Sequence, residues 1–195
     1  MELVSLICAA YFIGAIPSGV VLTRLAGVED VRCSGSGNIG ATNVYRVAGK
    51  RLGVLTLVAD VLKGLLPLLA LKLSGIHDER WLVLVAVALF IGHCYPVYLR
   101  FKGGKGVATV LGIYLILSPV AVLVALVVFA GVLWLWRYVS LASISAAALL
   151  PFMVYAVEHS VTFFVATLVI AAGVIYRHSS NIKRLFNGTE TRFKG

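Results

Sequence analysis

Residues 120–136 read VAVLVALVVFAGVLWLW. The stretch holds no charge, and its only polar side-chain atoms belong to Trp134 and Trp136, whose amphipathic rings suit a membrane–water interface. A helix of about 20 apolar residues crosses the hydrocarbon core of a bilayer. In that medium a helix satisfies its backbone N–H and C=O groups within itself. Comparable apolar runs occupy residues 3–25, 51–74, 81–99, 107–117, 139–157 and 161–176. The reading is an all-α integral membrane protein, a bundle of about seven transmembrane helices at roughly 20 residues each. Residues 107–117 are too short a run to span unaided, and are expected to be tilted or incompletely spanning.

Composition agrees. Of the 195 residues 61% are hydrophobic and only 13% charged, with a mean hydropathy of +1.00; a soluble domain carries about 25% charged residues. Little chain remains for anything outside the membrane, so residues 1–195 read as a single polytopic membrane domain. The formal charge of +9 then concerns loop placement rather than nucleic-acid binding, because Lys and Arg collect in cytoplasmic loops. Cys8, Cys33 and Cys94 have no CxxC or Cys/His spacing, so neither a disulfide framework nor a zinc site is expected. Glu2 stands where a secretory signal would be basic, so the first apolar run reads as a true span.

Charge placement sets the orientation. Of the 17 Lys and Arg residues, all but Lys63, Lys72 and Arg80 fall in alternate connections. These are Arg24, Arg32, Arg46, Lys50 and Arg51; then Arg100, Lys102 and Lys105; then Arg137; then Arg177, Lys183, Arg184, Arg192 and Lys194. Such asymmetry places the N-terminus outside and the C-terminus in the cytoplasm. Every complicated polar stretch then lies on the cytoplasmic face. An organic-anion transporter or channel, the alternative class, needs polar groups near mid-membrane and access from both faces.

Three polar stretches carry the chemistry. In Phe101-Lys102-Gly103-Gly104-Lys105-Gly106-Val107-Ala108-Thr109, the glycines free the backbone to turn tightly and two lysines flank them. Successive amides in such a turn, followed by a helix N-terminus, form an anion nest. The loop is expected to hold a phosphate at the membrane edge; the plainer reading is a basic cytoplasmic loop. Upstream, Gly35, Gly37 and Gly40 spell G-x-G-x-x-G, but membrane helices on both sides exclude a dinucleotide-binding βαβ unit. What remains is a polar loop, expected to run from residue 26 to residue 50. Ser36, Asn38, Thr42 and Asn43 are its hydrogen-bonding groups, and Arg46 is a cation able to grip phosphate bidentately; if a helix starts near Ile39, Thr42, Asn43 and Arg46 lie broadly on one face. The third stretch begins at His178 and carries Asn181, Lys183 and Arg184 at near-helical spacing, with Gly188 as a helix terminator.

Two further positions lie within apolar runs. Asp60 and Lys63, three residues apart, can neutralise each other on a helix and read as support beneath the site. His93 has no carboxylate partner close in sequence, so it reads either as a packed histidine bonded to a backbone carbonyl or as a site residue. The paired acids that a Mg²⁺-dependent phosphotransferase uses are missing, as are an H-x-x-x-x-D pair and a G-x-S-x-G elbow. The expectation is a site that binds anions, more than one phosphate among them, with no metal and no cofactor.

Four groups of residues, in this order on a small and very apolar chain, resemble the PlsY family of bacterial membrane acyltransferases over nearly the whole length. They are Ser36-Gly37-Asn38-Ile39-Gly40-Ala41-Thr42-Asn43 with Arg46; Asp60 with Lys63-Gly64; Gly92-His93, Pro96 and the 101–109 loop; and His178, Asn181-Ile182, Arg184-Leu185, Gly188 and Glu190. The resemblance implies transfer of a fatty acyl group from acyl phosphate to the 1-hydroxyl of glycerol 3-phosphate, giving lysophosphatidic acid and phosphate. It further implies the bacterial inner membrane, membrane lipid around the chain and an active site on the cytoplasmic face. Under it, Lys102, Lys105 and the amides of Gly103, Gly104 and Gly106 take the acyl-phosphate end. Arg46, Asn43, His178 and Asn181 bind glycerol 3-phosphate, and Ser36, Thr42 and Ser143 are hydrogen-bond candidates. The two substrates are interchangeable among these groups. Asn38, Lys63, His93, Thr109 and Arg184 complete the candidate substrate-binding set, and Ser36, Arg46, Lys105, Ser143, His178 and Asn181 are the catalytic candidates. The base is either the donor's own phosphate or a histidine, His178 or His93.

Overall fold

The structure is a computed structural model that describes residues 2–193. The Glu2 side chain and Lys194, used above in reading the signal and the orientation, lie outside the described part. The chain divides into two compact units, Met1–Ile116 and Leu117–Gly195.

In the first unit, α1 (Glu2–Gly14) and α2 (Ser18–Leu25) meet at a 45° bend. Pro17 lies at that break; it has no N–H to continue the ladder, and it leaves carbonyls to be satisfied from elsewhere. A single 3₁₀ turn at Val31–Cys33 interrupts the following loop. α3 (Ala41–Leu73) corrects the expected polar loop. The helix begins at Ala41, breaks at Gly49 (φ 87°, ψ 171°) and resumes into the apolar span. Polar residues at 42–51 hid this first segment from a reading by hydropathy. The bend lets Gly53 lie against the Tyr45 backbone, where a Cβ would come within 2.8 Å of Tyr45 Cα.

α4 (Glu79–Cys94) starts on Asp78, whose carboxylate accepts the Arg80 N–H at 2.8 Å. α5 (Val107–Leu117) has 11 residues and is the short element the sequence implied. Glycines set two of the helix seams. A Cβ on Gly14 would strike the Leu89 backbone of α4, and one on Gly92 would strike the Tyr11 carbonyl of α1. Likewise Gly64 of α3 lies against the Thr109 carbonyl, and Gly112 of α5 against the Val61 carbonyl. Small residues allow such backbone contact where lipid supplies no hydrophobic drive for association.

The second unit consists of α6 (Pro119–Trp136), α7 (Val139–Glu158), α8 (Val161–Arg177) and α9 (Ser179–Phe186). Arg137 and His159 end α6 and α7 in left-handed conformation, and the Ser160 hydroxyl caps α8 by accepting the Phe163 N–H at 3.2 Å. α8 and α9 are bent by 56° about His178. The predicted terminator holds: Gly188 has φ 68°, and the Thr189 N–H returns to the Arg184 carbonyl at 2.8 Å.

All seven apolar runs lie on helices. Among the described residues four segments are long and apolar enough to cross a bilayer alone: α3, Glu79–Leu99 (α4 with its following turn), α6 and α7. The bent pairs α1–α2 and α8–α9 pass the same test as broken spans. Outward-facing side chains such as Leu66, Leu123, Val127 and Val169 are exposed and apolar, as a lipid-facing surface requires.

Candidate functional site

The loop before α3 is organised by one side chain. Asn43, in the first turn of α3, is 2% exposed. Its Nδ2 donates to the carbonyls of Val31 and Asn38 at 2.8 Å and of Ser34 at 3.2 Å, and its Oδ1 accepts the Ser36 N–H at 2.8 Å. Gly35 and Gly37 have positive φ, and a Cβ on Gly35 would collide with Asn43 Oδ1. The Asn38 side chain caps Gly40 N at 2.8 Å. Beneath lies an apolar plug of Val20, Val31, Ile39 and Val44. Asn43 thus acts on the loop's shape, while Ser36 and Arg46 are exposed and Thr42 is half-buried. Arg32 pairs with Asp30 at the loop's edge, and its hydrogen bonds lower the Asp30 carboxyl to about 2.

The glycine loop departs from the expected nest. Gly103 N–H donates to the Cys94 carbonyl at 3.2 Å and Gly104 N–H to the His93 carbonyl at 3.1 Å. Phe101 and Lys102 N–H groups are likewise turned inward, to Pro96 and Leu99 carbonyls. The reason is that α4 ends at Cys94, and its last carbonyls need donors. The loop supplies them and folds back on the helix end. What it offers outward is Lys102, which is exposed, and Lys105, which is half-buried. The first-turn N–H groups of α5 follow directly. Gly106, at φ 82°, is held against the Phe90 ring.

Under this loop sits a buried polar cluster. Lys63 Nζ lies 2.8 Å from Asp60 Oδ1 and also donates to the Ile16 carbonyl, beside the Pro17 break, at 2.8 Å. His93 Nδ1 is 3.1 Å from Thr109 Oγ1 and 3.9 Å from Asp60 Oδ1. All four side chains are at most 8% exposed. The mutual neutralisation read from the i, i+3 spacing is present. The carboxylate that His93 lacks in sequence arrives from α3, a partner no local pattern could reveal.

In the second unit Glu190 is the centre. Its Oε1 accepts from Ser140 Oγ and Asn181 Nδ2, each at 2.7 Å, and its Oε2 from Arg184 Nε at 2.7 Å. Burial alone would raise this carboxyl; the bonds from Asn181, Ser140 and Arg184 outweigh it and hold the group below its ordinary value. His178 Nδ1 bonds the Val174 carbonyl at 2.8 Å, which in the neutral ring makes Nδ1 the donor and Nε2 the acceptor. Ser143 donates to the Val139 carbonyl at 2.8 Å and retains its acceptor capacity. Ser140 is a site-forming residue outside the sequence-derived candidates, and Glu190, part of the fourth group of residues quoted above, carries no assigned role among them. Their separation of 50 positions explains the omission of Ser140. Among the described residues no three of His, Cys, Asp or Glu form a metal-binding cluster.

The chain matches the profile of a family described as glycerol-3-phosphate acyltransferase over residues 4–188. It is 63% identical over 190 residues to a glycerol-3-phosphate acyltransferase of Syntrophotalea carbinolica, covering 97% of this chain and 96% of that one. It is 52% identical over 189 residues to the enzyme of Geobacter sulfurreducens, with 97% and 96% covered. Two solved structures superpose with TM-scores of 0.94 and 0.92, each at 42% identity and covering 100% of this chain and 96% of the other. They are crystal structures of PlsY, an integral membrane glycerol 3-phosphate acyltransferase, in its glycerol 3-phosphate and lysophosphatidic acid forms.

Proposed function

The chain belongs to the glycerol-3-phosphate acyltransferase family and is an integral membrane acyltransferase; on that premise we propose that its acyl donor is acyl phosphate. The acyl group passes to the 1-hydroxyl of glycerol 3-phosphate, the first acylation of phospholipid synthesis. The supporting observation is the relative at 42% identity along the whole chain, described in both glycerol 3-phosphate and lysophosphatidic acid forms. The transporter reading gives way to it. The match over residues 4–188 supports treating the chain as one acyltransferase domain.

Glycerol O1 attacks the acyl carbon, the bond from that carbon to the phosphate oxygen breaks, and the departing phosphate takes the hydroxyl proton. Acyl phosphate is already activated, so the protein has to orient the reactants and balance charge. Lys102, Lys105 and Arg46 are the first unit's anion-binding groups, with Ser36 and Thr42 as hydrogen-bonding groups. Asn38, Asn43, Gly103, Gly104 and Gly106 give the two loops their shape, and Lys63, His93 and Thr109 lie beneath. In the second unit His178, Asn181, Arg184 and Ser143 are the candidate groups. A second reading, with His178 as base, has a specific observation behind it: the Nδ1 bond to Val174 makes Nε2 the basic nitrogen of the neutral ring.

Purified protein in detergent, given acyl phosphate and glycerol 3-phosphate with a chelator present, should form lysophosphatidic acid, read by mass spectrometry. Product from an acyl thioester alone would overturn the donor, and rescue by Mg²⁺ only would overturn the metal-free reading. Loss, in His178→Gln, of the fall in rate on the acid side of neutral pH would transfer the base role to the histidine. The active site is placed on the cytoplasmic face of the bacterial inner membrane. Cys33, exposed in the loop before α3, should then react with an impermeant maleimide in inverted vesicles and not in intact cells.

A further inference from the structure

We propose that Asp60 and His93 are positioning residues for the glycine loop, and that position 104 is glycine in order to seat the His93 ring rather than to admit substrate. A Cβ built on Gly104 would collide with His93 Nε2 and lie 3.0 Å from both neighbouring ring carbons. The same residue's N–H is bonded to the His93 carbonyl at 3.1 Å. Gly104 is therefore held by one residue twice, through its backbone and across the face a side chain would occupy. One residue earlier, a Cβ on Gly103 would meet the His93 carbonyl and the Pro96 ring.

The ring is fixed from its other edge. Thr109 of α5 holds Nδ1 at 3.1 Å, and the Asp60 carboxylate of α3 lies 3.9 Å from the same atom. Lys63 locks that carboxylate and ties it to the Ile16 carbonyl. Three helices and the α1–α2 break thus converge on one imidazole, and the imidazole is the floor on which Gly104 is laid, with Gly103 against the same residue's carbonyl. Because the ring is buried and held at Nδ1, the backbone from which Lys102 and Lys105 project is fixed.

The inference rests on the acyltransferase reading, and two measurements separate the two. Gly104→Ala is expected to raise the KM for a phosphate-bearing substrate about tenfold with a smaller change in kcat, the split expected of lost ground-state positioning. His93→Ala should do the same, and the double variant should be no worse than His93→Ala alone, since the clash disappears with the ring. Multiplying effects in the double variant would overturn the proposal, showing that Gly104 serves the substrate directly. The second measurement is independent of activity. Asp60→Asn with Lys63→Met keeps the cluster neutral, and amide exchange at residues 101–106 should quicken while that of α6–α8 stays as in the parent. Unchanged exchange there would also overturn it. A parent protein inactive with glycerol 3-phosphate would instead break the functional reading and leave the exchange result standing.

Discussion

Asp60 in the first unit and Glu190 in the second are both carboxylates withdrawn from water, 2% and 9% exposed. Asp60 sits inside a membrane-spanning helix and is balanced by an ammonium, Lys63, that is itself 6% exposed at the side chain. Glu190 lies beyond the last helix and is met by a hydroxyl, an amide and a guanidinium that is 37% exposed. One is a sealed ion pair, the other a hydrogen-bonded carboxylate with a route to solvent. Sealing fixes geometry and leaves the remaining charge stranded when either member is removed. The open arrangement leaves, beside two buried neutral partners, a guanidinium that water can reach.

The largest effect should follow from breaking the sealed pair. Lys63→Met alone should destabilise the protein by about 3–5 kcal/mol, measured by thermal unfolding in detergent. Adding Asp60→Asn should restore most of it. Equal loss in the single and double variants would mean that the two carboxylate sites do not differ in kind. Next comes Asn43→Ala, which strips partners from three carbonyls and one N–H of the loop. A loss of about 2–3 kcal/mol, with faster proteolysis between residues 31 and 43, is expected.

Glu190→Gln should cost less, about 1–2 kcal/mol, because glutamine keeps an acceptor oxygen for Ser140 and Asn181 and the Arg184 guanidinium keeps access to water. It carries a pH signature that Asp60 cannot test at the surface. The Glu190 carboxyl is held below its ordinary 4.5, so its contribution is complete above that pH and disappears as pH falls through the depressed folded value. The Gln variant should lack this acid limb in a plot of stability against pH. The smallest effect belongs to Asp30→Asn. Its pair with Arg32 is close, but the side chains are 32% and 38% exposed, and such pairs contribute within about 1 kcal/mol.

Legibility in the sequence followed the range of the interactions. The length of α5, the Pro17 break, the Asp60–Lys63 pair and the Gly188 terminator are local, and each could be read from a few neighbouring residues. The helical segment from Ala41 was legible only as a conditional start near Ile39, because Thr42, Asn43, Arg46 and Lys50 look like loop to a hydropathy scan, although a polar helix at an interface needs only one buried face. The glycine loop was legible as a loop and its lysines as its cations. Its amides were not, because they answer to the carbonyls at the end of α4, and nothing in residues 101–106 states where that helix stops. The Asp60–His93 and Ser140–Glu190 contacts join distant segments, and only the folded chain reveals them.

The shortness of α5 has a consequence for the lipid around it. Eleven residues rise about 16 Å, roughly half of a hydrocarbon core about 30 Å thick. At its far end Lys72 Nζ, from the last turn of α3, donates to the Ile116 carbonyl at 2.7 Å, so one ammonium meets the end of both helices. Where that end faces lipid, the bilayer is expected to thin or admit headgroups to meet it. Thick membranes penalise such a dimple more than thin ones. The comfort of this protein in its bilayer thus depends on acyl-chain length, in a membrane whose phospholipids descend from the product it is proposed to make.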